Sequence, residues 1–195
     1  MKELGLGVIM DPVEFIRPRK DSTLALLLEA QRRGWGISYG QLEDIWLRDG
    51  EAYGRLTRLE VADDPDDWFE TGDASVTPLR DLDVILMRKE PPFDIEYIVA
   101  TYVLERAEGQ GALVVNRPQS LRDANEKAFV SWFPQCTPPT LITRSLREMR
   151  AFTSEHRCGP APARMRSIPH FGPATRSATM TCREFATLES EYDPR

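Results

Sequence analysis

Leu86-Met87-Arg88-Lys89-Glu90-Pro91-Pro92-Phe93-Asp94 is the stretch that decides how this chain is read. It follows the apolar run Leu82-Asp83-Val84-Ile85-Leu86 and precedes a helix-like segment that opens near Asp94. An apolar run of this length bounded by turn residues reads as a buried strand. Two prolines can continue neither strand nor helix, so they fix a turn and aim Arg88 in one direction. Asp94 then stands where a helix N-cap belongs. A parallel strand that ends in Arg-Lys and hands over to a capped helix forms the floor of a crevice. In open α/β sheets ligands bind in the crevice beyond the carboxyl ends of the strands.

Outward from this segment the same alternation repeats. Leu4 to Met10 reads as a buried strand, and the loop to Lys20 carries Pro12 and Pro18. Asp21 or Ser22 caps a helix with Leu24, Leu27, Leu28 and Gln31 at helical spacing, ending at Gly34. Trp35 to Tyr39 is a second strand, which completes a βαβ unit. Tyr53 to Val61 alternates as a strand, and Asp63 to Asp67 reads as a solvated loop. Asp94 to Gly109 is expected to be a helix sending Ile98, Tyr102 and Leu104 toward a core, followed by a strand over Ala112 to Val115. Ser120 to Trp132 reads as a helix or a helical turn plus helix, Thr140 to Thr143 as strand, and Ser145 caps a last helix to about His156. The expected fold is α/β, a mostly parallel doubly wound sheet of the flavodoxin or Rossmann type.

Beyond Arg157 the texture changes. Valine, tryptophan and lysine are absent from there to Arg195, and the apolar residues stand singly without a period. Such a segment buries too little apolar surface to offset its ordering entropy, so a disordered tail is expected. The net charge of −6 argues against a nucleic-acid partner, whose binders carry a basic stripe. No apolar run approaches the roughly 20 residues a bilayer span needs, and the N-terminus lacks a signal peptide's apolar core. A cytoplasmic protein is expected. Cys136, Cys158 and Cys182 show neither a disulfide framework nor metal-ligand spacing.

Four residues are candidates for chemistry: Asp11, Arg88 and Asn116, each just past an expected strand, and Lys127 on the helix beyond. Together they would hold an anion, with arginine gripping a carboxylate as a fork. Each has a second reading from sequence alone. Asp11 also suits a cap for the turn at Pro12, and Arg88 also suits an ion pair with Asp94 or Glu96. Asn116 before Arg117-Pro118 is a good turn residue, and Lys127 is equally readable as a surface lysine.

Met87 to Asp94, together with Asn116-Arg-Pro-Gln-Ser-Leu-Arg-Asp-Ala-Asn-Glu-Lys127, resembles the N-terminal part of prokaryotic glutathione synthetases. The resemblance runs from about Gly5 to about His156, with Glu90 where the family more often has Asp. It implies a pre-ATP-grasp substrate-side domain over 1–135, the start of an ATP-grasp domain over 136–156, and an irregular, out-of-frame tail over 157–195. It implies ATP, γ-glutamylcysteine and glycine as ligands, Mg²⁺ as cofactor, and assembly as an oligomer. By the same resemblance Lys127, in Asn125-Glu126-Lys127, approaches the nucleotide, and Arg88 faces γ-glutamylcysteine. Asp11 and Asn116 stay substrate-side candidates. The implied reaction passes the γ-phosphoryl group of ATP to the cysteinyl carboxylate, after which glycine's amine displaces phosphate. The family's Lys-Pro-Leu, glycine-rich phosphate loop and metal-holding acids have no counterpart after His156. Gly159-Pro-Ala-Pro-Ala is no substitute, because proline lacks the N–H that cradles phosphate. The sequence therefore leads to two expectations: a glutathione synthetase fragment inactive by itself, or a non-catalytic module that binds a small anion or an intact synthetase subunit.

Overall fold

Asp21 accepts hydrogen bonds from the amides of Thr23 (2.6 Å) and Leu24 (3.3 Å), and this starts the first helix, α1, Ser22–Arg32. The computed structural model describes residues 4–124 and 126–156, and the backbone of 178–181. Two compact units are distinguished, Met1–Asp123 and Ala124–Arg195. The first contains β1 (Gly5–Ile9), α1, β2 (Gly36–Gly40), β3 (Ile45–Arg48), β4 (Glu51–Val61), β5 (Phe69–Pro78), β6 (Val84–Met87), α2 (Ile95–Gly109), β7 (Leu113–Val115) and α3 (Pro118–Asp123). The α/β class expected from the sequence is the class observed.

The sheet runs β3-β4-β2-β1-β6-β7, with β5 paired to the free side of β4. Its β2-β1-β6-β7 portion is parallel, as the strand and helix alternation requires. Strands β3, β4 and β5 add an antiparallel extension to the expected mostly parallel sheet. Neither β3 nor β5 is announced by the sequence, because antiparallel neighbours need only a short turn and no crossover helix. In β5 seven of the ten residues are exposed, so it carries little hydrophobic alternation.

Each face of the sheet carries its own core. Leu6, Val8 and Met10 of the central strand pack with Leu24, Leu27 and Ala30 of α1. Ile9, Ile85 and Met87 pack on the other face with Ala100, Val103 and Leu104 of α2. A central strand covered on both faces is apolar throughout, which is why β1 reads as a continuous run. Full burial of a side chain such as Leu104 contributes about 1.5–3 kcal/mol. Strand β4 serves both cores: Ala52 and Leu56 belong to the α2 side, Leu59 and Val61 to the α1 side. A register irregularity between Thr57 and Leu59 in its pairing with β5 lies where the buried positions change.

Helix α2 begins where Asp94 accepts from the Tyr97 amide (3.0 Å). One expectation for this helix is corrected. Tyr102 is half exposed and lies under the Arg122 guanidinium, 4.5 Å from its ring centroid, while Tyr97 and Val103 fill the core beside Leu104. Arg122 also bonds the buried Thr101 hydroxyl (3.1 Å) and Glu105 (2.6 Å), which fastens α3 to α2.

The second unit holds α4 (Glu126–Phe129), β8 (Thr140–Thr143), α5 (Leu146–His156) and β9 (Ala178–Thr181), with β8 and β9 antiparallel. The helix, or helical turn plus helix, expected over Ser120 to Trp132 takes the form of short pieces: α3, α4 and a 3-10 turn over Val130–Trp132. Phe129 stacks on Trp132 at 5.4 Å. The expectation for 157–195 lies outside the described residues apart from β9. Among the described residues no helix is long and apolar enough to cross a membrane.

Candidate functional site

Parallel pairing brings the carboxyl ends of β1, β6 and β7 to one edge, with Ile9 opposite Met87 and Leu86 opposite Val115. Backbone bonds carry the ladder past the strands: Arg88 N–H donates to Ile9 C=O (2.7 Å) and Met10 N–H to Gly40 C=O (3.1 Å). Asp11, Arg88 and Asn116 therefore all lie just beyond the same edge, as their spacing predicts.

Asp11 does not simply cap the turn at Pro12. Its Oδ1 is 2.8 Å from Lys89 Nζ, and its Oδ2 accepts from the Glu90 amide at 2.9 Å. Lys89 Nζ also donates to Glu90 C=O (2.6 Å). One carboxylate thus clamps the loop after β6 to the loop after β1. The Asp11 carbonyl in turn accepts from the Tyr39 hydroxyl (3.4 Å), whose oxygen accepts from the Val13 amide (3.2 Å). Burial of Tyr39 pushes its phenol above the usual tyrosine range.

Arg88 makes neither of the ion pairs that the sequence left open. Asp94 is engaged as the α2 cap, and the Arg88 guanidinium donates instead to two hydroxyls on α1. Nε bonds Thr23 Oγ1 (3.0 Å) and Nη2 bonds Ser22 Oγ (2.9 Å). Both hydroxyls are neutral, so they orient the fork without cancelling its charge. Among the described residues no carboxylate pairs with Arg88. Its remaining donors are available to a ligand.

Arg88 and Asp11 line a cavity of about 490 Å³ together with Arg17, Lys20, Thr23 and Glu90. A second cavity of about 490 Å³ shares Met10 and Asp11 but is bordered by Leu42, Ile45, Ile95 and Val99, and is the more apolar of the two. Asn116 is exposed and lines neither. The Val115–Asn116 and Pro91–Pro92 peptide bonds are cis. Lys127 falls on α4, and its side chain lies outside what is described, as does Asn125. The structure thus brings Asp11 and Arg88 into one site, leaves Asn116 at its margin, and gives no position for the Lys127 ammonium.

Lys89, Ser22, Thr23, Arg17 and Lys20 were missed from the sequence. A partial signal existed for Arg17 and Lys20: Arg17-Pro18-Arg19-Lys20 carries proline at the second position of a turn, and Lys20 N–H donates to Arg17 C=O at 2.9 Å. For the metal expected from the resemblance, no group of three or more His, Cys, Asp or Glu side chains is placed to hold an ion among the described residues.

Comparison with known proteins fits this geometry. Residues 4–122 match the family model described as prokaryotic glutathione synthetase, N-terminal domain. A glutathione synthetase of Yersinia pestis is 56% identical over 153 residues, covering 78% of this chain and 48% of the relative. One from Pseudomonas putida is 54% identical over 151 residues, covering 77% and 48%. One from Vibrio parahaemolyticus is 52% identical over 153 residues, covering 78% and 48%. The chain spans about half the length of the curated relatives it matches.

Proposed function

This chain belongs to the prokaryotic glutathione synthetase family, and from that premise we propose that its first unit is the substrate-side domain for joining glycine to γ-glutamylcysteine with ATP. The observation that carries the proposal is Arg88. It stands at the carboxyl edge of a parallel sheet, oriented by two neutral hydroxyls, uncompensated, and open to a cavity large enough for a small peptide. A guanidinium held in this way suits a carboxylate, and the cysteinyl carboxylate is the group that must be positioned to accept a phosphoryl group. Asp11 acts through the Lys89–Glu90 clamp as a positioning residue for that arginine. Lys127 is assigned to the nucleotide by its motif, Asn125-Glu126-Lys127, and Asn116 to the margin of the substrate site. Mg²⁺ finds no ligand cluster among the described residues, and no step is assigned to it.

For the chain as it stands we propose binding without turnover. Residues 157–195 contain no Lys-Pro-x-x-Gly-x-Gly-Gly sequence, and positioning of reacting groups supplies roughly 7–11 kcal/mol of barrier lowering that Lys127 cannot replace. A non-catalytic binding role is favoured by one feature: every polar tie that shapes the Arg88 site lies within the first unit. The test has two arms. Chain supplied with ATP, Mg²⁺, γ-glutamylcysteine and glycine is expected to release no phosphate above background, whereas γ-glutamylcysteine binds weakly in calorimetry. Arg88→Ala should weaken that binding roughly tenfold or more, the range for a lost charge-assisted hydrogen bond. Glutathione formation abolished by Lys127→Ala would replace this reading with an active ligase. Translation of the other reading frames past the His156 codon tests the out-of-frame origin of the tail.

A further inference from the structure

Three cations border the Arg88 cavity, but only one of them has a role in the reading above. Arg17 and Lys20 are the first and last residues of one turn, closed by the Lys20 N–H to Arg17 C=O bond (2.9 Å), and both line the cavity wall. Among the described residues neither has an ion-pair or hydrogen-bond partner for its side chain. The carboxylates nearby are mostly engaged. Asp11 is held by Lys89 and the Glu90 amide, Asp21 is held by backbone amides as the α1 cap, and the Glu90 carboxylate has no partner among the described residues. With Lys89 set against Asp11, the wall carries one positive charge beyond its carboxylates, and neither Arg17 nor Lys20 is tied to any of them. Lys20 adjoins the Asp21 cap, and Ser22 and Thr23 follow it with the hydroxyls that hold Arg88, so both cationic groups belong to one contiguous wall.

We infer that Arg17 and Lys20 form a second carboxylate subsite, which selects a ligand carrying two carboxylates over one carrying a single carboxylate. The inference rests on the γ-glutamylcysteine reading. With the cysteinyl carboxylate at Arg88, the pair receives the α-carboxylate of the γ-glutamyl end. Both side chains are exposed, so their part is modest and falls with salt. Together they give a preference of roughly tenfold, about threefold for each exposed cation.

The test is calorimetry on the full chain at low ionic strength with two ligands, γ-glutamylcysteine and 4-aminobutyryl-cysteine. The second keeps the amine and the cysteinyl carboxylate but lacks the α-carboxylate. The parent chain should prefer γ-glutamylcysteine about tenfold, within the range of two exposed ion pairs. Arg17→Ala/Lys20→Ala should erase that preference while leaving the affinity for 4-aminobutyryl-cysteine unchanged, and Arg17→Lys/Lys20→Arg should restore it. Equal binding of the two ligands by the parent, an equal loss of both in the double variant, or no measurable binding of γ-glutamylcysteine would each overturn the subsite. Arg88→Ala in the same titrations separates the two readings. If it weakens both ligands while the double variant changes neither, the subsite fails and the Arg88 reading stands; if it too changes neither, both fail.

Discussion

Replacing Asp11 by alanine removes the clamp between the loops that follow β1 and β6, and its effect can be sized from the structure. Two interactions vanish: the ion pair to Lys89 at 2.8 Å and the bond accepted from the Glu90 amide at 2.9 Å. The Lys89 and Asp11 side chains are 17% and 31% exposed, which puts the pair between a screened surface contact and a dry one. A surface pair contributes about 0–1 kcal/mol, and a hydrogen bond to a charged group about 1.5–3 kcal/mol. Glu90 is exposed, so its freed amide finds water and adds no buried-donor penalty. The expected cost is about 2 kcal/mol for Asp11→Ala. Asp11→Asn keeps an acceptor for the Glu90 amide and should cost about 1 kcal/mol. With a urea slope of about 2 kcal/mol/M, the Asp11→Ala midpoint falls by about 1 M, and Tm by roughly 4–8 °C. Equilibrium urea unfolding followed by tryptophan fluorescence measures this. A double-mutant cycle with Lys89→Met isolates the pair and should return a coupling of about 1 kcal/mol. Because Arg88 precedes Lys89 directly, γ-glutamylcysteine affinity should fall along with stability. A midpoint for Asp11→Ala within about 0.2 M of the parent would refute the clamp, and an unchanged ligand affinity would refute its positioning of Arg88.

Other residues give independent outcomes. Gln31 on α1 pairs its amide with both backbone groups of Val61 (2.6 and 2.8 Å), acting as a one-residue strand partner. Gln31→Ala should destabilise by about 1–3 kcal/mol and speed hydrogen exchange at the Val61 amide. Gly34 ends α1 at φ +74° with open space around it, so Gly34→Ala costs only backbone strain, about 1–2 kcal/mol in urea unfolding, and Gly34→Asn less. Burial raises the Tyr39 and Tyr97 phenols above their ordinary value. The folded state therefore holds these protons more tightly than the unfolded chain. That stability is complete below the unfolded value of about 10 and is lost as pH rises through the folded values. Urea midpoints should drop above about pH 10 in the parent and drop less in Tyr39→Phe/Tyr97→Phe.

Much of the fold can be read without coordinates, because the signals that carry it are local. Asp21 and Asp94 cap helices within three residues of themselves, Leu24 and Leu27 keep helical spacing, and β1 is apolar because it is covered on both faces. The Met87 to Asp94 and Asn125 to Lys127 segments placed the chain beside the glutathione synthetases, and residues 4–122 match that family's N-terminal domain. Of the antiparallel extension, β4 is legible from its alternation over Tyr53 to Val61, whereas β5 is exposed at seven of its ten residues and carries little alternation, and no local signal encodes how these strands pair.

The site divides along the same line. Position past a strand end follows from the sequence, so Asp11, Arg88 and Asn116 could be named. Partner choice depends on which strands lie side by side, and no local pattern encodes that. Thr23 meets Arg88 across 65 positions and Asp11 meets the Glu90 amide across 79, through the adjacency of β1 and β6. Only the tertiary structure could turn Asp11 from a turn cap into a clamp and leave Arg88 with its charge unspent. It alone set Arg17 and Lys20 on the wall of the same cavity.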